Sequence, residues 1–283
     1  MAQFTNQAQL SYNNTVLNSN IATGELLDVL SVTKTAVTES YDRSGNAVYV
    51  VSIVNTGNTA YSGLTLTDNL GGYTFGSATV YPLNYVAGSV KYYNNGVLQT
   101  TAPTVTAGPP LAISGITVPA GGNATVIYEA DITGFAPLGT ESQINNAVTL
   151  SGNGITSLTA NETITAAAAP ELTINKTISP LSVTEGDRVT YTFTIHNYGN
   201  TAATAADNVV IRDTFNPILS SLAVTFNGTA WAATTNYTYN QSSGEFATVA
   251  GQITVPAATY AQNTDGSYAI TPGVSVLTVT GTV

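Results

Sequence analysis

Two stretches set the pattern of this chain: Ala47 to Asn55 reads AVYVVSIVN, and Val189 to Asn197 reads VTYTFTIHN. In each, every second residue is apolar and large (Tyr49, Val51, Ile53; Tyr191, Phe193, Ile195), with Thr, Ser or Val between. A period of two predicts strands buried on one face. Turn residues punctuate such runs throughout, as in Asn55-Thr56-Gly57-Asn58, Asn94-Asn95-Gly96, Gly121-Gly122, Asn227-Gly228 and Asp265-Gly266. No stretch carries a helical stripe between caps. The spacing predicts strands near 30–37, 47–54, 63–68, 77–82, 89–98, 111–118, 123–132 and 143–151, and again near 172–178, 188–196, 208–213, 222–227, 236–248, 252–255 and 273–283.

The two sets are copies of one unit. Lys34, Tyr49, Ile53, Asn55, Gly57 and Asn58 match Lys176, Tyr191, Ile195, Asn197, Gly199 and Asn200, each 142 residues on. Asp68 matches Asp213 after a small insertion, and Ile116-Thr117-Val118-Pro119-Ala120 is echoed by Ile253-Thr254-Val255-Pro256-Ala257. Short strands with turns between them, in two copies, predict an all-β chain of two tandem immunoglobulin-like Greek-key sandwiches. The expected organisation is an N-terminal arm over 1–27, a first sandwich over 28–165, a linker over 166–170 and a second sandwich over 171–283.

Composition narrows the function classes. Among 283 residues only 8% are charged, with 6 Lys and Arg against 16 Asp and Glu, so the surface is covered mainly by neutral polar side chains. A net charge of −10 argues against nucleic acid or an anionic membrane as partner, because counterion release needs clustered cations. The chain has no cysteine, so neither disulfides nor thiolate metal sites staple it. The N-terminus shows no basic and apolar leader pattern, which points to display outside the cell without a classical signal peptide.

Catalytic machinery is sparse. The single histidine, His196, sits on a strand just before an Asn-x-Gly turn and reads as a surface residue. Glu185-Gly186-Asp187 and Asp207 have calcium-binding chemistry but read more simply as solvated turns. No cofactor, no metal and no enzymatic activity are expected.

The pattern Lys-Thr, then Gly-Asp-x-Val-x-Tyr-x-Phe-x-Ile-x-Asn-x-Gly-Asn-Thr-Ala, then an Asp closing the next strand, runs through Lys176, Thr177, Gly186, Asp187, Tyr191, Asn197, Gly199 and Asp213. It resembles the repeat of bacterial surface proteins known as a domain family of unknown function. The first copy departs from it at Gly45-Asn46-Ala47. The paired layout and the 29.1 kDa mass also resemble the ribbon subunits of clostridial spore appendages. The resemblance implies a structural role on an extracellular or spore surface, with other appendage or surface proteins as further partners.

Domains of this kind end in an Asn-x-Ala strand, which the first copy supplies over 144–150. In the second copy, Gly273 to Val283 answers to the strand before it, and no closing strand follows. Residues 5–11 align with 144–150, placing Asn6 on Asn145 and Ala8 on Ala147. With Phe4, Asn6, Ala8 and Leu10 on one face, the arm is expected to fill the second sandwich of another copy, beside Val276 and Val279, as a donor strand. Such a contact is head to tail and builds an open homopolymer. The arm folding back on its own chain is the alternative.

Lys34 and Lys176 lie inside apolar strands, a costly position for a charge without a partner. By analogy with immunoglobulin-like proteins of Gram-positive surfaces, each is expected to form an amide with an Asn, assisted by an acid. The pairs are Lys34 with Asn145 and Asp68, and Lys176 with Asn6 of the next subunit and Asp213. Plain salt bridges to the two Asp residues are the competing reading. A surface adhesin using Tyr81, Tyr85, Tyr92, Tyr93, Trp231, Tyr237 and Tyr239 is the alternative to a filament subunit.

Overall fold

The computed structural model describes residues 2–26, 29–152 and 154–283. The arm comes first. Strand β1 (Ala2–Asn6) pairs antiparallel with β4 (Ala22–Leu26), and between them β2 (Gln9–Tyr12) pairs with β3 (Thr15–Asn18). The turn is Asn13-Asn14, with φ of 43° and 61°. Two successive left-handed residues make the tight turn whose twist matches a two-stranded ribbon, and Asn tolerates that conformation. Phe4, Leu10, Tyr12, Val16, Leu17 and Ile21 all remain exposed along this hairpin.

The first sandwich runs through β5 (Leu30–Ala36), β6 (Ser40–Tyr41), β7 (Asn46–Asn55), β8 (Tyr61–Asp68), β9 (Tyr73–Phe75), β10 (Ala78–Val80) and β11 (Leu83–Tyr85). It continues through β12 (Lys91–Asn94), β13 (Val97–Leu98), β14 (Thr104–Thr106), β15 (Leu111–Val118), β16 (Asn123–Ile132), β17 (Gln143–Ser151) and β18 (Leu158–Ala166). One sheet has the order β13-β12-β16-β7-β5, and the facing sheet has β14-β15-β8-β17-β18-β6. The predicted alternation holds: Tyr49, Val51 and Ile53 are fully buried while Val48, Val50 and Ser52 line the other face. They meet Leu64, Leu66, Ile113, Ile144, Val148 and Leu150 from the opposite sheet in one apolar core.

The second sandwich uses β19 (Leu172–Ser179), β20 (Arg188–Asn197), β21 (Arg212–Thr214), β22 (Ser220–Phe226), β23 (Thr229–Trp231), β24 (Tyr237–Tyr239) and β25 (Glu245–Thr248). A small hairpin, β26 (Thr259–Gln262) with β27 (Tyr268–Thr271), precedes β28 (Gly273–Thr282). Its sheets are β19-β20-β28-β22-β23 and the three-stranded β21-β25-β24, around a second core that includes Phe193, Phe215, Phe246 and Leu277. The chain is thus all-β, with two tandem sandwiches of immunoglobulin type.

The repeated Asn-x-Gly has a structural cause. Asn197 is fully buried, donates from Nδ2 to the carbonyls of Thr201 (2.7 Å) and Pro256 (3.0 Å), and accepts from the N–H groups of Gly199 and Glu171 (2.9 Å each). Asn55 does the same toward Thr59, Pro119 and Gly57. A buried amide with its groups satisfied fixes the turn that leads out of the central strand.

Several features differ from the expectation: β18 falls where no strand was expected, and the strand expected over 236–248 is split into β24 and β25. The segment 252–255 forms only an isolated bridge, Ala203 to Val255, rather than a strand. The β26–β27 hairpin stands where the first copy has the four-residue turn Pro119 to Gly122, and it reaches back to the first sandwich. Tyr268 N–H donates to the Gly134 carbonyl (2.8 Å), and Tyr260 and Ile270 pack against the first core. Beside it, Arg43 makes a two-pronged ion pair with Glu171 (2.6 Å) and lies 4.4 Å above the Tyr198 ring.

Two lysine sites and an open sheet edge

Lys34 lies in the middle of β5, opposite Val51 of β7, and its side chain is 0% exposed. Its Nζ is 2.5 Å from Asp68 Oδ2 and 4.4 Å from the centroid of the Tyr49 ring. The Tyr128 hydroxyl donates to the same Asp68 oxygen, and Asp68 Oδ1 accepts the Leu70 N–H at 2.8 Å. Asp68 is held here because β8 is central in its sheet, with β15 on one side and β17 on the other. Burial pulls the Lys34 ammonium down to about 8, against the attraction of Asp68, and burial pushes the Tyr49 and Tyr128 phenols up.

The buried amide near this pair is Asn146, whereas the expected Asn145 lies on the other face of β17. Asn145 points outward, is exposed, and accepts from the Thr163 hydroxyl at 2.6 Å. Asn146 is 0% exposed, lies two residues from Val148, which pairs with Asp68, and sits beside the phenols of Tyr49 and Tyr128. Its Oδ1 accepts the Gly71 N–H at 3.3 Å, while its Nδ2 is buried without a hydrogen-bond partner. A shift of one residue along a strand reverses the face. Both asparagines precede Ala147, and only the inward series Ile144, Asn146, Val148, Leu150 separates them.

The second site has the same parts in a different state. Lys176 on β19 pairs ionically with Asp213 on β21 and lies 4.6 Å from the Tyr191 ring centroid. Its side chain is 40% exposed, and Ile174, on the same face, is 55% exposed. The positions 142 residues earlier, Lys34 and Val32, are buried and half-buried. In the first sandwich they are covered by β17 and β18, which lie against β5. In the second, β21 pairs with β25 on one edge, and among the described residues no strand occupies its other edge. Val279 pairs with Tyr191 as Tyr128 pairs with Tyr49, so this site has no counterpart of the Tyr128 hydroxyl.

This moves the expected acceptor. β28 is paired by β20 over Gly273–Thr282 and by β22 over Leu277–Thr282, so the strand around Val279 offers no free edge. Val279 is in the core, while Val276 lies on the opposite face beside Thr194; residues three apart on a strand cannot both face one groove. The open edge is that of β21.

An offset of 140 rather than 139 puts the expected donor face of the arm on the inward face of β17. Phe4, Asn6, Ala8 and Leu10 match the inward residues Ile144, Asn146, Val148 and Leu150, each 140 residues on, so Asn6 corresponds to Asn146.

Other singled-out residues have structural roles. Asp187 and Asp207 each accept the N–H and hydroxyl of the Thr three residues earlier. His196 is half-buried beside Tyr198. Tyr85, Tyr92 and Tyr237 are core residues, Trp231 stacks on Phe226, and the Tyr239 hydroxyl bonds the Leu219 backbone.

No protein-family model and no curated protein matches the chain. Solved structures similar to it include one described as BspA_C_WT, at 14% identity and TM-score 0.38, covering 89% of this chain and 91% of the other. The Streptococcus pneumoniae pilus backbone RrgB matches at 11% identity and TM-score 0.35 over 90% of this chain and 50% of that one. The major pilin subunit BcpA of Bacillus cereus matches at 8% identity and TM-score 0.36 over 96% and 73%.

Proposed function

We propose that the chain is a structural subunit of an extracellular or spore-surface filament. The arm of one copy fills the open β21 edge of another, and Lys–Asn amide bonds lock both sandwiches. The observation that carries this reading is the contrast between the two copies: Lys34 is enclosed, whereas Lys176 and Ile174 lie uncovered beside an unpaired strand. The arm meanwhile carries the inward sequence of the closing strand on an exposed ribbon. An uncovered core face with unpaired backbone groups is unstable alone and favours strand addition.

The chemistry balances with no added reactant. In the first sandwich Lys34 passes a proton to Asp68, leaving a neutral amine and a neutral acid. The amine nitrogen attacks Cγ of Asn146 while the acid proton polarises its Oδ1. The C–N bond to Lys34 forms, Asp68 passes its proton to Nδ2 and takes one from the attacking nitrogen, the bond to Nδ2 breaks and ammonia leaves, a loss of about 17 Da. At the junction, Lys176, Asp213 and a neighbouring copy's Asn6 take these roles.

Equal amounts of heavy-nitrogen and unlabelled chain, mixed before assembly, test this. The expected product is a digest peptide joining Lys176 to Asn6, lacking ammonia and carrying mixed labels. Joined peptides of one label only would show self-closure and overturn the filament.

A further inference from the structure

Resting on that filament reading, we propose that the arm docks as a preformed two-stranded hairpin, residues 2–26, and that its second strand is the part that encloses Lys176. The evidence is a pairing register that repeats. Phe4 pairs with Gly24 and Asn6 with Ala22, and 140 residues on Ile144 pairs with Ile164 and Asn146 with Glu162. Beyond these pairs the arm slips by one: Leu10 pairs with Leu17, whereas Leu150 pairs with Leu158, the counterpart of Asn18. Over β1 and β4 the arm therefore keeps the register of β17 with β18, whereas a simple donor would match β17 alone.

In the first sandwich β17 supplies Asn146 and β18 lies across β5, burying Ile164 and Ala166 and setting Glu162 near Lys34. Insertion of β1 and β2 alone would bring Asn6 to the β21 edge but leave the flank of Lys176 uncovered. With β3 and β4 still paired, that flank closes and the amine loses water, as a nucleophilic lysine requires.

The hairpin is built to arrive folded. Its Asn13-Asn14 turn is the type that closes ribbons. The Phe4 ring lies over Gly24, where an added Cβ would stand 2.4 Å from it, so the aromatic and its cross-strand partner form one unit. Ordering the donor before contact reduces the entropy lost on docking. Ala22 stands where the first sandwich has Glu162, so Asp213 is the carboxylate left to serve Lys176 at the junction.

The chain has no cysteine, so a disulfide can lock the hairpin shut. Thr5 and Thr23 are directly opposite, exposed, and on the outward face. Full-length Thr5→Cys/Thr23→Cys, oxidised, is expected to form filaments at a rate within about twofold of the reduced form, because docking needs no opening. A second lock, Ser11→Cys/Val16→Cys, is expected to behave alike. Oxidised chains that stay monomeric and polymerise on reduction, in both variants, would overturn hairpin docking. Absence of filaments from the unmodified chain would instead overturn the filament reading, and this inference with it.

Discussion

The Lys34 site gives a stability signature that separates a titrating lysine from a lysine consumed in an amide. The perturbation is Asn146→Ala, which removes the acceptor and leaves Lys34 free, with Lys34→Met/Asn146→Ala as its reference. Burial lowers the folded-state ammonium from 10.5 to about 8. Between those values the folded chain holds fewer protons than the unfolded one, so stability rises with pH across that window and the penalty is fully present below it. The shift amounts to roughly 3 kcal/mol at 1.36 kcal/mol per unit, of which about 2.5 kcal/mol is relieved between pH 7 and pH 10. Urea denaturation of both variants at those two pH values measures it. The Asn146→Ala chain is expected to gain about 2.5 kcal/mol relative to the reference, which has no lysine at this position. The linked wild-type chain is expected to parallel the reference, since an amide nitrogen does not titrate. Parallel behaviour of all three would refute the argument that a buried, depressed amine awaits Asn146.

Other outcomes follow from the same geometry. Asn146→Ala is expected to abolish the ammonia loss in the first sandwich by intact mass, whereas Asn145→Ala leaves it unchanged. Asp68→Ala strands the buried Lys34 ammonium and is expected to cost roughly 3–5 kcal/mol in denaturant titrations, while Asp213→Ala in the unassembled chain costs far less because Lys176 reaches water. Replacing residues 257–272 by a Gly-Gly turn removes the β26–β27 brace; small-angle scattering is expected to show wider bending between the sandwiches with both cores intact.

The strands, the tandem copies and the Lys–Asp pairs were legible in the sequence because a period of two and a 142-residue offset survive without any knowledge of contacts. The position of the closing asparagine was not. Only Asn145 fits the Asn-x-Ala ending, as Asn145-Asn146-Ala147, whereas the residue that shares a face with Ile144 and Leu150 is Asn146. Counting those inward positions picks out Asn146, the match proposed for Asn6. Tyr128 was missed because its strand partner, Tyr49, is remote in sequence. β18 escaped because Thr, Ala, Asn and Glu fill most of it; only Ile164 and Ala166 are buried. The β26–β27 brace has no equivalent in the first copy, so the repeat could not announce it. The open edge at β21 needed sheet order, which places β28 in the middle of its sheet whatever its position in the chain.

The central claim is that the arm joins one copy to the next. Negative-stain microscopy of the purified full chain beside a chain lacking residues 2–26 tests it most directly. Filaments from the full chain and none from the shortened one are the predicted result; filaments of equal number and length from both would contradict it.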